Sequence, residues 1–161
     1  PAFEINGTIT AANASKLNDG AAVILIMSSE KAKDLGLKPL ATILDQASSA
    51  HDPEWFTTAP TKAIDKVLTK AKLKPTDIDL WEINEAFSVV AMAAINDFQL
   101  DDKKVNIYGG AVSLGHPIGA SGARILTTLI HGMERTSSKL GLASLCIGGG
   151  EASAIIVEKY D

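Results

Sequence analysis

Residues Gly109–Arg124 read GGAVSLGHPIGASGAR, and the fold is decided by how this stretch is entered and left. A β-branched run, Val105–Tyr108, leads in, and an apolar stretch of helical spacing, Ile125–Met133, leads out. Five glycines and one proline surround a single imidazole, His116. Pro117 disfavours helical geometry at His116 and pushes it toward an extended backbone. Pro117 itself suits a first helical turn, where a missing N–H costs little. The expectation is a strand-to-helix mouth that presents His116 beside free backbone N–H groups. Gly115, Gly119 and Gly122 keep side chains away from the ring and leave room for a ligand to reach the backbone. The spacing matches neither a Walker A loop nor the dinucleotide-binding G-x-G-x-x-G pattern. His51 and His131 lack such surroundings and read as structural.

The chain of 161 residues is long enough for one full core, or for one domain and part of another. Its net charge of −4 argues against a nucleic-acid surface. No apolar run reaches membrane-spanning length. No signal or transit peptide is recognised, and the single cysteine, Cys146, excludes an internal disulfide. These features lead to the expectation of a reducing compartment, cytoplasm or mitochondrial matrix, and not a secreted chain. A first residue of proline leads to the expectation that the chain is part of something longer.

Along the chain, Ala2–Ala14 is polar and turn-rich, and Ala21–Met27 is a continuous apolar run that fits a strand buried on both faces. Ser29–Leu35 reads as a short helix capped by Ser28 or Ser29 and stopped by Gly36. Leu40–Leu44 is a short strand, and Ser48–Pro60 a loop whose Trp55 and Phe56 either line a pocket or anchor it. Thr61–Lys72 carries apolar residues on one helical face. Ile78–Ile83 alternates as a strand. Asn84–Phe98 is apolar almost all round, so it predicts a central, covered helix with Asn84 in its first turn. Leu142–Ile147 and Ala154–Glu158 flank Gly148-Gly149-Gly150 and predict an antiparallel closing pair. From Pro39 the order is therefore an α/β, layered βαβ arrangement, a mixed sheet with helices on both faces.

Ligands of such sheets sit where strands give way to helices. Three loops occupy that position: Asn84-Glu85-Ala86-Phe87, Gly115-His116-Pro117, and Cys146-Ile147-Gly148-Gly149. An amide, an imidazole and a thiol converging there suit a carbon acid. Removing a proton beside a thioester needs a base of moderate pKa and donors aimed at the developing enolate oxygen. Each residue also has a plainer reading. Asn84 serves equally as a helix cap, and Cys146 as a small buried apolar group, although three following glycines are poor packing material.

Together these blocks carry a family resemblance. Asn84-Glu85-Ala86-Phe87, Gly109–Arg124, Cys146-Ile147-Gly148-Gly149-Gly150 and the upstream Gly7–Ser15 with Leu17–Ala21 appear in the order found in thiolases. The chain resembles the C-terminal half of a thiolase of the kind that interconverts two acetyl-CoA with acetoacetyl-CoA and CoA. The resemblance implies a layered thiolase-like fold, with residues 1–36 ending the N-terminal half and residues 37–161 forming the C-terminal domain.

It further implies that Cys146 handles the proton at the α carbon. By the same resemblance His116 activates a nucleophilic cysteine and donates to one oxyanion hole, and Asn84 holds that hole's water. The N–H of Gly148 would then serve the second hole. Ser15 and Phe87, with Phe56, would flank the pantetheine arm of coenzyme A, which binds as a substrate, with no tightly held cofactor. Ala11, Ala12, Ala14 and Val112 match positions whose carbonyls hold potassium in some thiolases, although alanines there also suit close packing. One departure counts against independent activity. The nucleophilic cysteine of thiolases belongs to the N-terminal half, and this chain has no second cysteine. The implied partners are acyl-CoA molecules, the N-terminal thiolase half and further copies in a homo-oligomer. A non-catalytic or regulatory thiolase-like fragment is the alternative. A decarboxylating ketoacyl synthase would carry a second histidine in place of Cys146.

Overall fold

The computed structural model describes residues 1–160. Helix α1 (Ser29–Asp34) opens on Ser28, whose Oγ accepts the Lys31 N–H at 3.1 Å, and ends before Gly36 in the left-handed region. Strand β1 (Ala41–Ala50) follows, then a 3-10 turn (Pro53–Thr58), helix α2 (Ala59–Ala71) and strand β2 (Leu80–Ile83). Helices α3 (Ser88–Phe98), α4 (Ala111–Leu114) and α5 (Ser121–Thr136) come next, and strands β3 (Leu140–Ile147) and β4 (Glu151–Lys159) close the chain. The sheet order is β1-β4-β3-β2. β2 runs parallel to β3, whereas β4 is antiparallel to both of its neighbours, so the sheet is mixed.

Strand alternation divides the core in two. Ala152, Ala154 and Ile156 of β4 and Leu142 of β3 face α2 and α3, where Ala63, Ile64, Val67, Val90 and Ala94 meet them. Ala143, Val157 and Leu80 face the other way, against Ile125, Leu129 and Met133 of α5. Helices thus cover both faces, as the periodicity predicts. Each fully buried aliphatic side chain contributes roughly 1.5–3 kcal/mol relative to exposure.

Four local expectations are corrected. Ala21–Met27 belongs to no strand and pairs with neither edge strand of the sheet, β1 or β2. Only one side of the run is covered. Ile24 lies on the α5-side core, while Val23 and Leu25 remain 90 % and 78 % exposed. Val105–Tyr108 forms no strand. Val105 makes a single bridge to Trp81, and the chain then turns through Asn106 at φ 49°. The Asn106 side chain substitutes for a strand, accepting the Ile83 N–H at 2.8 Å and donating to the Ile83 carbonyl at 2.9 Å. β1 runs on through Ser48 to Ala50, because β4 offers it a partner at every step, the register slipping only between Ile43 and Asp45. Finally, Asn84 does not lie in a helix. α3 starts at Ser88, and its apolar girdle is only partly covered, with Val89 and Met92 outward.

Candidate active site

The parallel pairing of β2 with β3 puts Asn84 and Cys146 at the same end of the sheet. Ile83 lies opposite Ser144, and the Asn84 N–H donates to the Ser144 carbonyl at 2.9 Å. Residues 84–87 then make a tight turn, the Ala86 N–H donating to the Asn84 carbonyl at 3.1 Å, and reach Phe87 in an extended conformation held by a second segment. Ser15 N–H donates to the Ala86 carbonyl at 3.0 Å, and Ser88 N–H to the Asn13 carbonyl at 2.9 Å. Ala14 and Phe87 are bridged antiparallel by this pair. Three residues on, Leu17 is bridged to His116, whose N–H donates to the Lys16 carbonyl at 2.7 Å. The strap 13–17 therefore ties the Asn84 loop to the His116 loop.

His116 is extended, as its place before Pro117 requires. Pro117 does not open the helix, however. A turn intervenes, closed by the Ala120 N–H on the Pro117 carbonyl at 2.7 Å, and α5 begins at Ser121. This turn brings Ser121 Oγ to 2.6 Å from His116 Nδ1. The same hydroxyl lies 3.2 Å from the Pro117 carbonyl. A hydroxyl has one proton; donating it to the carbonyl obliges Nδ1–H to donate to Oγ. Nε2 is then left with the lone pair, the form a base needs. Burial, seconded by the Arg124 guanidinium, holds the imidazole below its ordinary value and so keeps it neutral near pH 7. Gly119 and Gly122 face open space, consistent with room for a ligand.

Asn84 is 1 % exposed, and neither its Oδ1 nor its Nδ2 has a hydrogen-bond partner. It caps no helix, since α3 opens four residues later. A buried amide with both ends free costs stability unless something else occupies it. Cys146 is half-buried near the end of β3, opposite Ala152, and burial pushes its thiol up. Its resting form is the protonated thiol, and once deprotonated it is a strong base. Gly148 follows in the turn to β4, where Gly150 stacks so closely on the His51 carbonyl that a side chain would collide with it.

Phe87 packs edge-on against Phe56 (6.0 Å between centroids) and against Phe3 (5.8 Å), forming one aromatic wall. Trp55 is exposed and neither anchors its loop nor joins that wall. Ala11 and Ala12 lie in the turn before the strap, and Ala12 N–H is taken by Thr10 Oγ1. Val112 N–H is held by Glu85 Oε2 at 3.1 Å. A cavity of about 280 Å³ lies at the opposite end of the sheet, between Leu40, Met133 and Tyr160, and takes no part in this arrangement.

Several residues here were not singled out by sequence. Glu85 joins its loop to Asn106 (3.3 Å) and to Val112, and any side chain at Gly110 would strike its carboxylate. Ser121 sets the imidazole tautomer. Glu82 is 3 % exposed beneath α5, with Arg124 Nη1 3.7 Å from its Oε2. A charged residue inside the short apolar strand LWEI was the available signal for Glu82; an arginine one turn after Ser121 was the signal for Arg124.

Glu82 also makes stability depend on pH. Burial raises its carboxyl from an ordinary 4.5 to about 7, with Arg124 opposing the rise and Glu85 adding to it. The folded chain keeps a proton there that the unfolded chain releases. The resulting stability is fully present below about 4.5 and is lost as pH rises through about 7. Glu82→Gln cannot ionise and escapes that loss. Urea unfolding at pH 4.5 and pH 8 is expected to show the native chain losing roughly 2–3 kcal/mol relative to the variant. Parallel pH dependences in the two proteins would contradict it.

The chain is similar to known proteins over nearly its whole length. Residues 37–159 match the thiolase C-terminal domain, and residues 1–30 match the thiolase N-terminal domain. The acetyl-CoA acetyltransferase of Cupriavidus necator is 54 % identical over 159 residues, 99 % of this chain and 40 % of that protein. The mitochondrial acetyl-CoA acetyltransferase of Rattus norvegicus is 56 % identical over 154 residues, 96 % of this chain and 36 % of that one. The crystal structure of the Bacillus anthracis acetyl-CoA acetyltransferase superposes with a TM-score of 0.96 at 48 % identity, covering 99 % of this chain and 40 % of the other. An Ascaris suum thiolase, Acat5, solved in complex with coenzyme A, gives 0.91 at 49 % identity, covering 99 % and 42 %. The chain spans about 40 % of the length of these relatives. Matched over residues 1–30 and 37–159 by the two domain families, and superposing on solved thiolases over nearly its whole length, the chain belongs to the thiolase family.

Proposed function

We propose that this chain supplies the proton-transfer and oxyanion-stabilising part of an acetyl-CoA C-acetyltransferase, which interconverts two acetyl-CoA with acetoacetyl-CoA and CoA. The observation that carries the reading is the unpartnered amide of Asn84, buried where the strand end of Cys146 and the His116 loop are tied together. An amide left open in a folded interior is a place for a water or a ligand oxygen. In this role Asn84 holds a water that, with His116, faces the thioester oxygen as negative charge develops on it. Cys146 exchanges the α-carbon proton, and the Gly148 N–H polarises the acyl carbonyl. Ser15 and the Phe87 wall flank the pantetheine arm of coenzyme A.

Residues 1–36 then complete the N-terminal half of the enzyme and residues 37–161 are its C-terminal domain. The remaining partners are acyl-CoA substrates, the other thiolase half and a homo-oligomer, in cytoplasm or mitochondrial matrix. The carbonyls of Ala11, Ala12, Ala14 and Val112 are hard ligands suited to potassium. A cation there would stiffen the strap beside Ser15.

Asn84→Ala in the complete enzyme tests the reading. Loss of an oxyanion donor lowers kcat by roughly 10²–10³-fold, with unfolding free energy changed by no more than about 1 kcal/mol, since no protein hydrogen bond is lost. Unchanged kcat with lowered stability would assign Asn84 a structural role instead. The same assay in potassium and in sodium reports on the cation.

A further inference from the structure

The site described above uses His116 but leaves the charged pair beneath it unemployed. Glu82 points from β2 toward α5, on the same face as Leu80, and is buried there. Its Oε2 accepts no hydrogen bond, and Arg124 Nε, also buried, donates none. The 3.7 Å separation of Arg124 Nη1 from Glu82 Oε2 is an ion pair without a hydrogen bond. Arg124 Nη1 instead lies 3.4 Å from Thr128 Oγ1 one turn further along α5. One turn earlier on the same helix is Ser121, the residue that holds His116 Nδ1. The cation, the hydroxyl and the imidazole therefore follow one another along the start of α5.

We propose that the buried Glu82–Arg124 pair between β2 and α5 sets the charge that the His116 imidazole faces, which makes both members positioning residues for that imidazole. The argument rests on the reading of His116 as the site's base. Glu85, in the loop after β2, acts on Glu82. The β3 residue in register with Glu82 is the uncharged Ala143. Lys16 of the strap meets His116 through its backbone carbonyl. Arg124, one turn beyond the Ser121 that holds His116, is a cation that bears on the imidazole, and Glu82, 3.7 Å from the guanidinium, is placed to neutralise it.

Charge compensation then depends on the protonation of Glu82. When Glu82 holds a proton, the guanidinium acts on the imidazole alone and makes it a weaker base. When Glu82 ionises, the guanidinium is offset and the imidazole becomes a stronger one. The site gains basicity as pH rises through the region where Glu82 titrates, about 7.

Side-chain NMR of the three histidines, taken as a pH titration of the folded chain, tests this without requiring turnover, so its outcome is separate from that of the catalytic reading. The His116 curve is expected to show its own protonation and a second, smaller inflection near 7, where Glu82 ionises. Glu82→Gln removes the second inflection. Arg124→Met raises the His116 midpoint, while Arg124→Lys, which keeps the charge, leaves it nearly in place. A His116 midpoint unchanged in a folded Arg124→Met chain overturns the proposal, as does a second inflection that persists in Glu82→Gln. Should Glu82→Gln fail to fold, the Arg124→Met and Arg124→Lys pair decides by itself.

Discussion

Replacing Cys146 with serine in the complete enzyme is expected to abolish exchange of the α-protons of acetyl-CoA with solvent, while acylation of the enzyme by acetyl-CoA, which releases the CoA thiolate and not a carbanion, largely survives. The two steps place different demands on the site. Exchange needs a group that removes a proton from carbon and returns it, the work proposed for Cys146, which lies in β3 at the same end of the sheet as Asn84. A serine hydroxyl has nearly the same size but is far too weak an acid to supply an anion, so the loss falls on proton transfer rather than on packing. General acid–base groups contribute roughly 10²–10⁴-fold, and the exchange rate should fall by at least that much. Acylation needs a separate nucleophile and a base to activate it. His116, neutral and with Nε2 open, is unchanged by the substitution. Mass spectrometry of the acylated enzyme and deuterium wash-in to acetyl-CoA measure the two steps independently. Equal loss of both would make Cys146 a structural residue, and the carbon-acid reading would fall with it.

Assayed by itself, the 161-residue chain is expected to turn over no acetoacetyl-CoA. The proposed chemistry transfers an acetyl group from a thioester to an enzyme sulfur and releases the thiol of coenzyme A. A second acetyl-CoA then loses an α-proton, and its carbon attacks the acyl-enzyme carbonyl, expelling the enzyme thiolate. Two groups are engaged at once, one esterified and one accepting the proton. Cys146 is the only cysteine in the chain, and one sulfur cannot do both. Groups that act as a unit are not replaced by those that remain. The surface adds a second expectation. Val23, Leu25, Ile26, Val89 and Met92 are exposed, and apolar area of that extent favours self-association. The measurement is loss of acetoacetyl-CoA enolate absorbance with added CoA, compared with a Cys146→Ala chain, beside sedimentation across a concentration series. Sustained turnover above that control would mean that some other group carries the acyl chain.

The amino-acid sequence by itself determined the layered α/β class, the amphipathic α2 and α5, and the antiparallel β3–β4 closure. It also singled out three loops carrying Asn84, His116 and Cys146. These are properties of local pattern: period 3.6 against period 2, glycine runs, and a proline that fixes the residue before it. The tertiary structure decided the rest, wherever a partner distant in the chain replaced a local preference. Asn84 looked like a helix cap, but a turn at residues 84–86 and the strap 13–17, which holds Ala86 and Ser88, put the start of α3 at Ser88. Val105–Tyr108 had strand residues, yet the Asn106 amide took the hydrogen bonds a strand would have made. Ala21–Met27 had the composition of a buried strand, but burial depends on neighbours and composition cannot supply them. The tautomer of His116 and the charge beneath it are set by Ser121, Arg124 and Glu82. They lie 5, 8 and 34 residues from His116 in sequence, and only the packing of α5 on β2 brings them into one arrangement.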